Sequence, residues 1–161
     1  MTPPKQSDSL AQQLSSSQEY FTRSTRVLEE GDSAFRPHPG MMTVSTQVAH
    51  TAMTIDWFVQ GVSRPEGFDL DFETHVKIQE AVTSLGAARV MLESAYKNAI
   101  AFARSLSPEA LAAPLPPGPI MGEQPLSDVF WGIIDHCAHH RGALTVYSRM
   151  LGKVAPMPYE G

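Results

Sequence analysis

Apolar side chains recur every three or four residues along four long stretches of the chain, a spacing that buries one face of an α-helix. The pattern predicts four helices, over residues 9–30, 43–60, 74–105 and 126–151. Glycine follows three of these stretches, at Gly31, Gly61 and Gly152, where helices commonly end. Neither a sustained alternation of apolar and polar residues nor an Asn-Gly turn occurs. We therefore predict an all-α protein, built as a four-helix bundle.

Two of the predicted connections are long. Residues 61–72 contain Pro65 and Gly67 and exceed the usual turn between antiparallel helices. We expect a crossover between helices 2 and 3, so that the third helix is not the nearest antiparallel neighbour of the second. Residues 107–125 form the second connection, in which a short helical turn is expected from Ser107 through Leu111 and the prolines from Pro114 to Pro125 forbid regular structure. Residues 1–8 are expected to be a disordered tail and residues 9–161 a single helical domain.

Three histidines occupy inward-facing positions of the predicted helices. His136 and His140 are four residues apart, which places them about 40° from each other on one helical face. His50 lies at the centre of the inward stripe of the second helix. Core histidines bonded to neighbouring polar groups are one interpretation of these positions. The other is a site in which three neutral imidazoles hold one divalent ion and leave further coordination positions open.

Other residues with useful chemistry are less well placed. His139 lies on the flank of the last helix, and Cys137 points about 100° away from His136. Tyr147 is on the inward stripe, where a core tyrosine with a bonded hydroxyl is expected. His38 is predicted to be an exposed loop residue and His75 a solvated one. None of these is assigned as a general base.

Composition limits the classes of partner and compartment. The chain has 161 residues and a formal net charge of −5, and its lysines and arginines are scattered, which argues against nucleic-acid binding. Cys137 is the single cysteine, so no intrachain disulfide forms, as expected in a reducing cytoplasm. The first nine residues are polar, unlike a signal peptide, and no apolar run reaches the length of a membrane span.

The segment from His136 to Tyr159 resembles the C-terminal signature of the DinB-like (damage-inducible) metal-binding four-helix-bundle family. That signature combines His-x-x-x-His with a following Arg-Gly-Gln, a Leu-x-Gly and a proline-rich end that contains tyrosine. The stretch from Val48 to His50 resembles the first motif of the family. The resemblance implies a bundle with a crossover between helices 2 and 3. It also implies a divalent metal, zinc or nickel, held by His50, His136 and His140. One departure is Ala143, where relatives often carry Gln, so an amide near the metal is missing.

The resemblance also suggests what the site does. Some relatives are transferases that use bacillithiol, mycothiol or glutathione, one is a maleylpyruvate isomerase, and many are homodimers. The first hypothesis is a metal-dependent enzyme, a thiol transferase or hydrolase, that acts with a low-molecular-weight thiol or activated water. The second is a non-catalytic metal-binding or stress-response protein, and the third is a bundle that has lost its metal. The apolar segments 112–125 and 154–159 favour a homodimer.

Overall fold

The computed structural model describes residues 5–160, and its regular elements are helical. The helices are α1 Gln6–Thr25, α2 Val44–Ser63, α3 Phe72–Glu80, α4 Leu85–Ser105, α5 Pro108–Ala112 and α6 Asp128–Met150, with a 3₁₀ turn at Glu30–Asp32. Within residues 5–160 no strand forms, and the only β-type pairing there is an isolated bridge between Pro114 and Pro125. The prediction of an all-α fold is therefore confirmed.

The four long helices α1, α2, α4 and α6 form the bundle. α1 and α2 each pack against both α4 and α6. Large apolar side chains fill the space between them, and those that are almost completely buried include Leu14, Phe21, Ile55, Leu85, Tyr96, Phe130, Ile133 and Leu144. Each such side chain stabilises the fold by about 1.5–3 kcal/mol through the hydrophobic effect. This core makes α2 and α6 rigid supports for the side chains that they carry.

The loop after α1 ties together the beginnings of α2 and α4. The amide of Val44 at the start of α2 donates to the carbonyl of Phe35, 2.9 Å away. The amide of Leu85 at the start of α4 donates to Oγ of Ser33 at the same distance. α2 and α4 therefore begin at the same end of the bundle and lie side by side.

The predicted third helix over residues 74–105 is wrong in one respect, because the structure has two helices there. α3 ends at Glu80, and α4 begins after Ser84, whose hydroxyl accepts a hydrogen bond from the amide of Ala87 at 3.1 Å. Asp71 caps α3 in the same way. Ser84 therefore interrupts the helix, because an N-cap residue has an extended backbone. The interruption leaves α3 outside the bundle, packed on α2.

Several helix ends also differ from the predicted ones. α1 includes Gln6 and ends at Thr25 rather than Glu30, so it takes in part of the expected tail. Residues 1–4 of that tail lie outside the described residues. α2 continues past Gly61 to Ser63. A side chain at Gly61 would clash with the ring of Phe68, so this glycine allows a close approach instead of ending the helix.

The segment after α6 returns to the bundle. Gly152 has a φ of 74°, in the left-handed region that commonly ends a helix. The guanidinium of Arg23 donates to the carbonyl of Pro158 at 2.6 Å, and the rings of Tyr20 and Tyr159 meet edge to face. Among the helices that the structure describes, none has the length and apolar character needed to cross a membrane.

Candidate metal centre

His50, His136 and His140 come together between α2 and α6. Nε2 of His136 lies 3.1 Å from Nε2 of His50 and 3.2 Å from Nε2 of His140. The ring centroids of His50 and His140 are 4.8 Å apart. The candidate ligand atoms of all three residues lie within 4.8 Å of one another. The three histidines are therefore close enough to hold one divalent metal ion.

Hydrogen bonding alone does not account for this arrangement. A neutral ring nitrogen carries either one proton or one lone pair, so Nε2 of His136 has one in-plane bond to offer and two close neighbours. Three nitrogens around a zinc ion at about 2.1 Å would be about 3.0–3.4 Å apart for angles between those of octahedral and tetrahedral coordination. The two Nε2 distances lie within that range. The donor set therefore fits a divalent ion.

Burial keeps the three imidazoles neutral. Burial first, and then the neighbouring histidines, lower the pKa of His136 to about 4 and that of His140 to about 3. The pKa of His50 is also lowered by burial. A metal-binding imidazole must be unprotonated at its ligand atom, so the site is ready to bind a cation near neutral pH.

Gln79 of α3 orients His50. Its Oε1 lies 2.8 Å from Nδ1 of His50, and its side chain is buried. When Nδ1–H donates to this oxygen, the lone pair of His50 is on Nε2, which faces His136. The apolar spacing does not predict this contact, because it predicts a single helix over residues 74–105. Recognising Ser84 as an N-cap would have separated α3 and left Gln79 on a helix of its own.

A cavity of about 540 Å³ lies between α2 and α3 and reaches the histidines, and we call it the α2–α3 cavity. His50 and His136 form part of its wall. Its large apolar lining residues are Met42, Met53, Trp57, Phe72, Val76 and Ile78. The volume is typical of sites that bind small molecules. The candidate metal centre is thus accessible from a space that a small molecule can fill.

The other histidines do not join the cluster. His139 is exposed on α6, as its position on the flank predicted, and His38 is exposed in its loop. His75 is not simply solvated. It is half-buried, it lines the α2–α3 cavity, and its Nε2 lies 3.2 Å from the carboxylate of Asp69.

Cys137 and Tyr147 both belong to the core. Burial raises the pKa of the Cys137 thiol to about 11, so the thiol stays protonated near neutral pH. The hydroxyl of Tyr147 donates to the carbonyl of Met42 at 3.1 Å, as expected for a core tyrosine. Neither residue is part of the cavity wall.

Comparison with known proteins identifies the family. A family model described as the DinB superfamily matches residues 13–144, a span that contains His50, His136 and His140. The resemblance found in the sequence motifs is therefore confirmed. A search of curated proteins finds no match.

Proposed function

The chain belongs to the DinB superfamily, and we propose that it is a metal-dependent enzyme acting on a small organic molecule, with a low-molecular-weight thiol or activated water as co-substrate. The observation that carries this proposal is the position of His50 and His136 in the wall of a cavity. A structural metal site is usually closed by four protein ligands, whereas a catalytic site keeps positions open. Three histidines beside about 540 Å³ of space match the second arrangement.

His50, His136 and His140 would hold the ion, with zinc or nickel as the proposed metals. A divalent ion in such a site supplies Lewis-acid chemistry, which lowers the pKa of water or of a thiol. The chain's own residues do the positioning. α2 and α6 hold the imidazoles, Gln79 keeps the lone pair of His50 on Nε2, and apolar side chains limit the water in the cavity.

Metal content is the first test. Elemental analysis of protein purified without a chelating tag should find about one divalent ion per chain, the ratio expected for a single three-histidine site. The variant His136→Ala should lose the ion, while His139→Ala, which changes an exposed neighbour, should retain it. An ion-free wild-type protein that also fails to take up zinc or nickel would contradict the proposal.

Turnover is the second test, and it separates an enzyme from a non-catalytic metal-binding or stress-response protein. The metal-loaded protein is assayed with bacillithiol, mycothiol and glutathione against an aryl halide, and with activated esters for hydrolysis. Turnover that disappears in His136→Ala supports the enzyme. Full metal occupancy without turnover in either assay would favour the non-catalytic alternative.

We also propose that the protein is a homodimer and works in the cytoplasm. The dimer is supported by apolar side chains that are exposed in the C-terminal segment, at Val154, Met157 and Tyr159. The buried, unpaired thiol of Cys137 suits a reducing compartment. Light scattering at micromolar concentration should return about twice the chain mass of 17.6 kDa. A mass equal to that of one chain would contradict the dimer.

A further inference from the structure

The α2–α3 cavity has exposed apolar side chains that the bundle does not cover. Phe72 is 52% exposed, Val76 43% and Ile78 49%, and all three belong to α3 and line the cavity. Single exposed apolar residues are common, but a cluster around a concave site usually marks a surface that a ligand covers. These side chains belong to α3, whereas His50 belongs to α2.

Trp57 of α2 is at the centre of a fixed group of aromatic rings beside the cavity. The indole Nε1–H of Trp57 donates to the carbonyl of Asp69 at 2.6 Å, which sets the orientation of the ring. The rings of Phe68 and Phe72 pack against Trp57 with centroid distances of 4.7 and 6.1 Å. An aromatic surface held in this way can stack on an apolar ligand with little loss of conformational entropy.

Apart from the proposed metal ion, the described residues of the cavity lining offer no site for a phosphate group. Apart from the histidines, the charged lining residues are Asp56, Asp69 and Arg64. The guanidinium of Arg64 already donates to Oε1 of Gln60 at 2.8 Å. Recognition of phosphate groups needs several free cationic or backbone donors directed at one point. This lining has no such set among the described residues.

From these contacts we propose that the α2–α3 cavity binds a small molecule with an aromatic or branched apolar body and one polar head group. The body packs against the contacting rings of Trp57 and Phe72 and against Val76 of α3. The head group reaches His50 and His136 at the inner end. This inference rests on the proposed function, because the head group is placed at the metal centre, and it adds the class of substrate.

Two hydroxamic acids can test the apolar body alone. Benzohydroxamic acid and acetohydroxamic acid have the same metal-binding head, but only the first carries a ring. The assay uses the metal-loaded Trp131→Phe protein, in which Trp57 is the remaining tryptophan; Trp131 is exposed, so its replacement is mild. We expect benzohydroxamic acid to bind at least about tenfold more tightly and to quench the fluorescence of Trp57. Phenyl phosphate, which has the ring and an anionic head, should bind more weakly than benzohydroxamic acid.

A matched pair of variants locates the binding. Val76 and Val90 are both exposed valines on helices, but only Val76 lines the cavity. Val76→Asn should remove most of the preference for benzohydroxamic acid, and Val90→Asn should keep it. Neither variant should change the metal content, because neither valine belongs to the histidine cluster.

The remaining outcomes contradict either this inference or the proposed function. Equal affinity for the two hydroxamic acids at full metal occupancy would overturn this inference and leave the proposed function standing. Conversion of a dimer to monomers by Val76→Asn would assign the apolar side chains to a protein interface and also overturn it. A protein that binds no metal would overturn the proposed function. In such a metal-free protein, benzyl alcohol, which has the ring without a metal-binding head, should still quench the fluorescence of Trp57. If it did not, this inference would be overturned as well.

Discussion

α6 and α3 both contribute to the candidate site, but they differ in how they are held. α6 is a bundle helix whose apolar side chains are buried, among them Val129, Phe130, Ile133 and Leu144. α3 packs on α2, and Gln79 is its one fully buried residue. The proposed metal ligands of α6 therefore depend on the rigid core, whereas the orientation of His50 and the apolar residues of the cavity depend on a short outer helix. We expect changes in α6 to abolish metal binding and changes in α3 to tune it.

The largest expected effect comes from α6. His136→Ala or His140→Ala should remove the metal and its stabilisation of the fold, about 2.7 kcal/mol at a free metal concentration of one hundred times Kd. His139→Ala should keep both, because its ring is exposed. Thermal unfolding with and without a chelator measures the difference. If His139→Ala lost the metal while His140→Ala kept it, the register of α6 would be wrong.

Acid should reduce the contribution of the same three histidines to the stability of the fold. Burial lowers the pKa of His50, His136 and His140 below 6.5, the ordinary value that they regain on unfolding. The unfolded chain therefore binds more protons than the folded one in this range, so stability rises with pH. The stability that the neutral histidines contribute should be fully present above about pH 6.5. It should decrease as the pH falls toward their pKa values in the folded protein, about 4 for His136 and about 3 for His140.

Urea unfolding of the chelator-treated protein at about pH 7 and about pH 5 measures this effect. Protons also compete with the metal, so the metal-loaded protein should lose stability in the same direction. The pKa values of Glu30 and Asp32 are lowered from 4.5 and 3.8, so these carboxyl groups contribute at more acidic pH. In the double variant His136→Ala/His140→Ala the free energy of unfolding should depend less steeply on pH. A wild-type stability that is the same at both pH values would contradict the assignment.

In α3 the corresponding change is Gln79→Ala. Removing the acceptor of the Nδ1 proton should weaken metal binding about tenfold to a hundredfold, because the tautomer and ring angle of His50 are no longer fixed. Gln79→Glu keeps an acceptor oxygen and should restore most of the affinity. Lys77→Ala, an exposed change in the same helix, is the control for α3 itself. Metal affinity is measured by competition with a chromogenic chelator, and an unchanged affinity in Gln79→Ala would show that the contact does not position His50.

The contrast also shows what periodicity can predict. α2 and α6 are long and one-sided, so the sequence placed His50, His136 and His140 on inward faces and His139 on the outside. The nine residues of α3 bury too little to give a stripe of their own. Val76 and Val82 happen to continue the pattern of α4, which concealed the boundary at Ser84.

The contact between Gln79 and His50 depends on how one helix lies on another, which spacing along the chain does not encode. Ala143 illustrates the same limit. The resemblance implies a glutamine amide at this position, which Ala143 lacks, and the amide that reaches His50 belongs to Gln79 of α3. That the three histidines bind a metal stays a prediction from their geometry.

Two glycines on bundle helices compare a crowded position with an open one. Gly61 of α2 faces the ring of Phe68, whereas Gly142 of α6 has no neighbouring atom within 4 Å of an added Cβ. Gly142→Ala should stabilise the protein by about 0.5–1 kcal/mol, because alanine restricts the unfolded chain and favours a helix. Gly61→Ala gains the same helical preference but must displace Phe68, which costs about 1–3 kcal/mol. Urea unfolding of both variants gives the sign of each change. In a Phe68→Ala background the cost of Gly61→Ala should disappear, and a cost that persisted there would mean that the ring is not what requires glycine at position 61.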